Sequence, residues 1–189
     1  MYKRQYIKSK TLAERAAWNY IDNLKEKSFK MTSIHPGMVF GPLLSNQINS
    51  TSASLIIKMI KGQFPALPNI YFSVVDVRDV AKLHVESLTN TKSDFKRIIT
   101  SSSKAISFLE ISKILRKIGH KKTTLKTVPD QIIKLLAIFN KDMRTSKSMI
   151  KRGDFSLDLS QTNEIYNWEP TPLYKTMLDM SNSLKAFLY

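Results

Sequence analysis

Apolar residues recur at three- and four-residue steps along residues 9–27, at Leu12, Ala13, Ala16, Ala17, Tyr20 and Leu24, with Glu14, Arg15, Asp22 and Lys25 largely between them. That spacing predicts an amphipathic helix. Residues 31–35 read as a short strand stopped by Pro36-Gly37, and Gly41-Pro42 supplies a second break. Residues 52–61 form the next predicted helix, after which Pro65 and Pro68 impose a loop before the β-rich run 70–75. Residues 76–88 return to helical spacing through Val77, Val80, Ala81, His84 and Leu88. Residues 97–100 read as a strand. Ser107 and Glu110 then make a capping box for a helix whose stripe is Phe108, Ile111, Leu115 and Ile118 and whose end is Gly119.

Beyond Gly119 the pattern predicts a strand over 125–128, a helix over 130–139 and a strand or extended segment at 155–159. Two more helices start near Ser160 and Pro172, the last with Met177, Met180, Leu184 and Phe187 or Leu188 on its apolar face. Strands alternating with helices predict an α/β architecture. The predicted strands are short and single, so each needs a neighbour to satisfy its edges.

At 189 residues, 42% hydrophobic and 24% charged, the chain can bury one sizeable core. Thirty Lys and Arg against fifteen Asp and Glu leave a formal charge of +15, which favours anionic partners. The basic residues are spread along the chain with no uninterrupted run, and a solvated surface is the expected use of most of them; spread charge without a reading motif argues against nucleic acid. The absence of cysteine excludes disulfides, thiolate metal sites and a Cys nucleophile, and His35, His84 and His120 stand far apart with no acidic or thiol cluster to make a metal site. The N-terminus has charge but no apolar run behind it, so the expectation is a cytoplasmic protein with no membrane association.

Tyr6 and Lys10 are four residues apart, which on one helix puts both side chains on one face a turn apart. An ammonium there stabilises a phenolate, making the phenol a usable proton donor to a carbonyl oxygen during hydride transfer. The spacing alone says little, because seven tyrosines in a lysine-rich chain yield about one such pair by chance. Asp76 and Asp79 precede an apolar helical run, where capping and a local ion pair with Arg78 are the expected roles.

The surroundings of the pair are more specific. Tyr6-Ile7-Lys8-Ser9-Lys10-Thr11-Leu12-Ala13-Glu14 resembles the active-site helix of the extended short-chain dehydrogenases/reductases, the epimerase/dehydratase superfamily. The resemblance continues in order through residues 34–42, which resemble the turn beside the nicotinamide, residues 75–84, and Trp168-Glu169-Pro170. It extends over essentially the whole chain and is greatest with the dihydroflavonol reductase-like branch.

The resemblance implies an incomplete Rossmann-type fold, a doubly wound parallel sheet represented by its C-terminal, substrate-side part over residues 1–189. It implies NAD(P)H-dependent reduction of a ketone or aldehyde, with NADP the expected cofactor and NAD the alternative. Tyr6 would be the general acid and Lys10 its electrostatic partner and a ligand of the nicotinamide ribose. Pro36 and the backbone at Val39 would line the carboxamide, and Ser52, or equally Ser54, would contact the cofactor. His35 stands where relatives often have Asn, and Asn167 where they usually have Gly.

One departure limits these expectations. Five glycines are present and none makes the G-x-G-x-x-G or G-x-x-G-x-x-G turn that holds a cofactor pyrophosphate at a helix N-terminus. The family's carbonyl-polarising Ser or Thr also belongs to a strand upstream of Tyr6. The expected partners are therefore a small carbonyl substrate and a complementing N-terminal Rossmann chain, or a homodimer through the first helix, whose apolar face should stand exposed. Little or no activity is expected of this chain alone, as for a truncated or split gene product. Two other readings remain: a sugar-nucleotide epimerase or dehydratase, which shares the Tyr and Lys helix, and a non-catalytic, basic binding remnant.

Overall fold

The computed structural model describes residues 2–26, 29–45, 50–132 and 154–188. Helix α1 spans Tyr2–Asp22, starting seven residues earlier than the apolar periodicity predicts, and so carries both Tyr6 and Lys10. Strands β1 (Ser33–Pro36) and β2 (Met38–Phe40) follow, separated only by Gly37, and then helix α2 (Thr51–Ile60). Ser50 caps α2, its hydroxyl accepting a hydrogen bond from Ala53 N–H.

Three short strands come next: β3 (Leu67–Pro68), β4 (Tyr71–Phe72) and β5 (Val74–Asp76). The run read as one strand over 70–75 is thus divided at Ser73, because its two parts pair with different partners. β4 pairs antiparallel with β7 (Ile106–Ser107), while β5 pairs parallel with β2. Helix α3 (Val77–Ser87) starts directly from β5, and strand β6 (Arg97–Thr100) lies parallel to β1 with Ser33 opposite Arg97 and Pro36 opposite Thr100. Strand β8 (Thr127–Val128) pairs parallel with β3.

Helix α4 (Phe108–Lys117) has the expected capping box, with Ser107 Oγ accepting from Glu110 N–H and the Glu110 carboxylate accepting from Ser107 N–H. Of the helix predicted over 130–139, residues 130–132 are described and helical; the rest lies outside the described residues. The segment expected to be extended at 155–159 forms only an isolated bridge, Ser156 with Lys104. Helices α5 (Ser160–Tyr166) and α6 (Leu173–Leu188) complete the described chain. Asn167 ends α5 at φ 46°, the left-handed conformation in which Asn substitutes for Gly at least cost.

Gly37 is where the chain hands over from one sheet pairing to the next. Its own N–H donates to Thr100 O beside β6, and Met38 N–H donates to Ser73 O beside β5. A Cβ at Gly37 would lie 2.7 Å from Ser101 Oγ and 2.8 Å from Ser73 O, so glycine allows the two segments to close on the turn.

The main core joins Phe40, Ile56, Met59, Leu67, Phe72, Ile111, Leu115, Met177 and Leu184, bringing α2, α4 and α6 together over the short strands. A second cluster, Val75, Leu83, Leu159 and Trp168, packs α3 and the segment after α5 against the other strand pairs. Trp168 of the closing signature is therefore a core residue.

Candidate active site

Helix α1 touches this core sparingly. Ile21 near its C-terminus is buried, whereas Tyr6, Ile7, Leu12 and Tyr20 are each more than half exposed. The exposed apolar face expected of the first helix is present. Tyr6 and Lys10 project from the same side of α1, with Lys10 Nζ 5.6 Å from the centroid of the Tyr6 ring. Both side chains are open to solvent, so a reactant has access to the phenol and the ammonium together.

A polar contact holds α1 to the sheet one turn beyond Lys10. The Glu14 carboxylate accepts from Arg97 Nε on β6 at 2.5 Å and from Trp18 Nε1 on its own helix at 3.2 Å, and it lies 3.1 Å from His35 Nε2 on β1. The Arg97 hydrogen bond holds the Glu14 carboxyl down at about 2, against an ordinary 4.5, with Trp18, His35 and the Arg97 charge acting in the same direction and burial opposing them. Sequence reasoning placed Glu14 only between the apolar positions of the helix. The Ala-Glu that follows Lys10 was the available signal, while nothing local marks Arg97, 83 residues away.

The second group of expected site residues lies around the handover at Gly37. Val39 and Ser52 share an open cavity of about 220 Å³ with Gly41, Pro42, Leu43, Ser50 and Val77. Ser54 does not line it, which separates the two serines that the sequence left equivalent. Pro36 ends β1 opposite Thr100 and is not among the residues lining this cavity. Gly41, at φ 140°, brings the cavity wall against Val77, where a Cβ would come within 2.7 Å of the Val77 side chain.

Asp76 and Asp79 serve the framework. Asp76 caps α3 through Arg78 N–H and Nε, which donate to its Oδ1, while its Oδ2 accepts from Arg78 Nη2 and, at 2.7 Å, from Thr176 of α6. Arg78 also donates to Asp179 on α6 at 2.6 Å. These bonds outweigh desolvation and depress the Asp76 carboxyl below its ordinary range. Asp79 does not join Arg78; it accepts from the backbone and hydroxyl of Thr171, directly after the Trp168-Glu169-Pro170 signature.

No protein-family model matches the sequence. Curated relatives do. Over 113 residues, 60% of this chain, it is 37% identical to a cinnamoyl-CoA reductase of Medicago truncatula, and over 148 residues, 76% of this chain, 35% identical to an uncharacterised oxidoreductase of Schizosaccharomyces pombe. The chain belongs to the extended short-chain dehydrogenase/reductase superfamily. It spans 32% and 43% of the lengths of those two relatives, a partial representation of this superfamily. Solved structures give the same fold: Gre2 from Candida albicans superposes with a TM-score of 0.71 at 23% identity, covering 97% of this chain and 52% of Gre2. UDP-glucose 4-epimerase from Thermotoga maritima superposes at 0.67 and 17% identity, covering 94% of this chain and 53% of the epimerase. Superfamily membership places the parallel pairs β1–β6 and β2–β5 within an incomplete Rossmann-type sheet.

Proposed function

We propose that this chain supplies the proton-donating, substrate-side part of an NADPH-dependent carbonyl reductase, and that the glycine-rich cofactor turn comes from polypeptide outside these 189 residues. The observation that carries this reading is the Tyr6–Lys10 pair on the open face of α1. The relatives matched in sequence include NADPH-dependent methylglyoxal reductases of Candida albicans and Saccharomyces cerevisiae, which favours carbonyl reduction over sugar-nucleotide epimerisation.

The residues present fit one end of such a cofactor. Tyr6 Oη and Lys10 Nζ are exposed donors suited to the hydroxyls of a ribose, and the Val39–Ser52 cavity offers backbone groups and a hydroxyl to a carboxamide. The described residues provide no glycine-rich turn at a helix N-terminus for a pyrophosphate. When bound, NADPH would supply the hydride. Tyr6 would donate its phenolic proton to the carbonyl oxygen as charge develops there, and Lys10 would stabilise the phenolate left behind.

Two features support a complementing segment. β1 is paired with β6 on one side only, and its other edge carries no strand among the described residues. On α1, the apolar Ile7 and Leu12 each stand more than half exposed. A segment adding a parallel strand would satisfy the free edge of β1.

The test combines this chain with the glycine-rich half of the Candida albicans methylglyoxal reductase and follows NADPH oxidation with methylglyoxal. Activity should appear only with both parts, and Tyr6→Phe should lower it by about 10²–10⁴-fold. Tight NADPH binding by the chain alone would remove the need for a complementing part. Undiminished turnover by Tyr6→Phe would remove the catalytic assignment.

A further inference from the structure

Three elements bring basic side chains together on a surface that shares no residue with the Tyr6–Lys10 face or the Val39–Ser52 cavity. Lys61 caps the C-terminal end of α2, His120 follows α4, and Lys185 lies on α6 one turn beyond Ser181. They surround a shallow pocket whose floor is Ile57, Ile60 and Leu184. The arrangement is built. Gly62, at φ 69°, presses against the 119–123 turn so closely that a Cβ would sit 2.8 Å from Lys122 O, which fixes Lys61 beside that turn. Ser181, fully buried, holds His120 Nε2 at 2.6 Å through its hydroxyl and leaves Nδ1 without a partner among the described residues.

Among the described residues, the ion pairs involve neither Lys61 nor Lys185, and Lys121 and Lys122 add two more cations in the same turn. The C-terminal ends of α2 and α4 offset part of this, at about half a charge each, and leave a clear positive excess. We propose that Lys61, His120 and Lys185 form a site for a phosphate-type anion, with Ser181 orienting the imidazole.

The empty pocket already opposes a further positive charge, since burial and then the Lys185 charge hold His120 below its ordinary 6.5. An anion at the mouth reverses that balance. Its binding therefore favours the protonated imidazole, so the His120 midpoint should move up when the anion is bound.

The experiment follows the His120 imidazole by NMR in the full chain, titrating pH in chloride and in phosphate at equal ionic strength. Phosphate should raise the His120 midpoint by about one pH unit, equivalent to a tenfold change in affinity between its two protonation states. Lys61→Ala with Lys185→Ala, both exposed and harmless to the core, should weaken phosphate binding at least tenfold while leaving the chain folded. Adenosine monophosphate forms a second arm: tighter binding than inorganic phosphate assigns the site to the phosphate of a larger ligand, and equal binding assigns it to the free ion. An unmoved His120 midpoint, or unchanged affinity in the double lysine variant, overturns the proposal.

Discussion

Replacing Glu14 by Gln keeps the shape of the side chain and removes the charge that ties α1 to β1 and β6. The fall of its carboxyl from 4.5 to about 2, at about 1.4 kcal/mol per pH unit, sets an upper limit of about 3 kcal/mol on what the contact contributes. About a fifth of the side chain remains in water, and screening there brings the expected loss to about 1–2 kcal/mol. Because the folded value is depressed, the contribution is complete above pH 4.5 and disappears as the pH falls from about 4.5 towards about 2. Trp18 donates to the same carboxylate, so its fluorescence, read in a chain carrying Trp168→Phe, responds to the surroundings of Glu14. Urea titrations of the wild type and Glu14→Gln should differ clearly in midpoint at pH 7 and converge only as the pH falls to about 2. Equal midpoints at pH 7, or a difference that persists unchanged at low pH, would refute the reasoning.

Two further substitutions test the framework. Asn167→Ala, which places a Cβ-bearing residue without Asn's local hydrogen bonding in a left-handed position, should cost about 1 kcal/mol, whereas Asn167→Gly should be neutral or better; thermal melts of the two variants decide this. Arg78→Ala removes the half-exposed cation of the buried Asp76 carboxylate, which keeps its backbone and Thr176 hydrogen bonds, and should destabilise by about 1.5–3 kcal/mol in urea unfolding, with part of the loss recovered as acid protonates Asp76.

Local chemistry was readable wherever it repeats within a turn or two. The capping box at Ser107 and Glu110, the left-handed Asn167 and the capping role of Asp76 depend on neighbours in sequence, and each is found in the structure. Tyr6 and Lys10 shared a face for the same reason. What the sequence concealed was partnership across distance. β2, β3 and β7 have two or three residues each, too few to show an alternation, and the division at Ser73 follows from which strand each half meets. Of the pair expected to share capping and the ion pair with Arg78, Asp76 does both, whereas Asp79 binds Thr171 and Arg78 additionally reaches Asp179. The Val39–Ser52 cavity could not be drawn from the sequence, because it requires the loop after β2 and the start of α2 to face each other.

The strand pairings carry a consequence for synthesis. Ser33 in β1 finds its partner Arg97 only after about 60 further residues have been made, and none of the pairs is a hairpin between consecutive strands. At about 5–20 residues per second, β1 emerges about 3–12 s before β6 exists to receive it. During that interval the β1 residues have no partner to pair with. Pairing across so long a separation is slow and leaves the growing chain exposed to aggregation before the sheet can close.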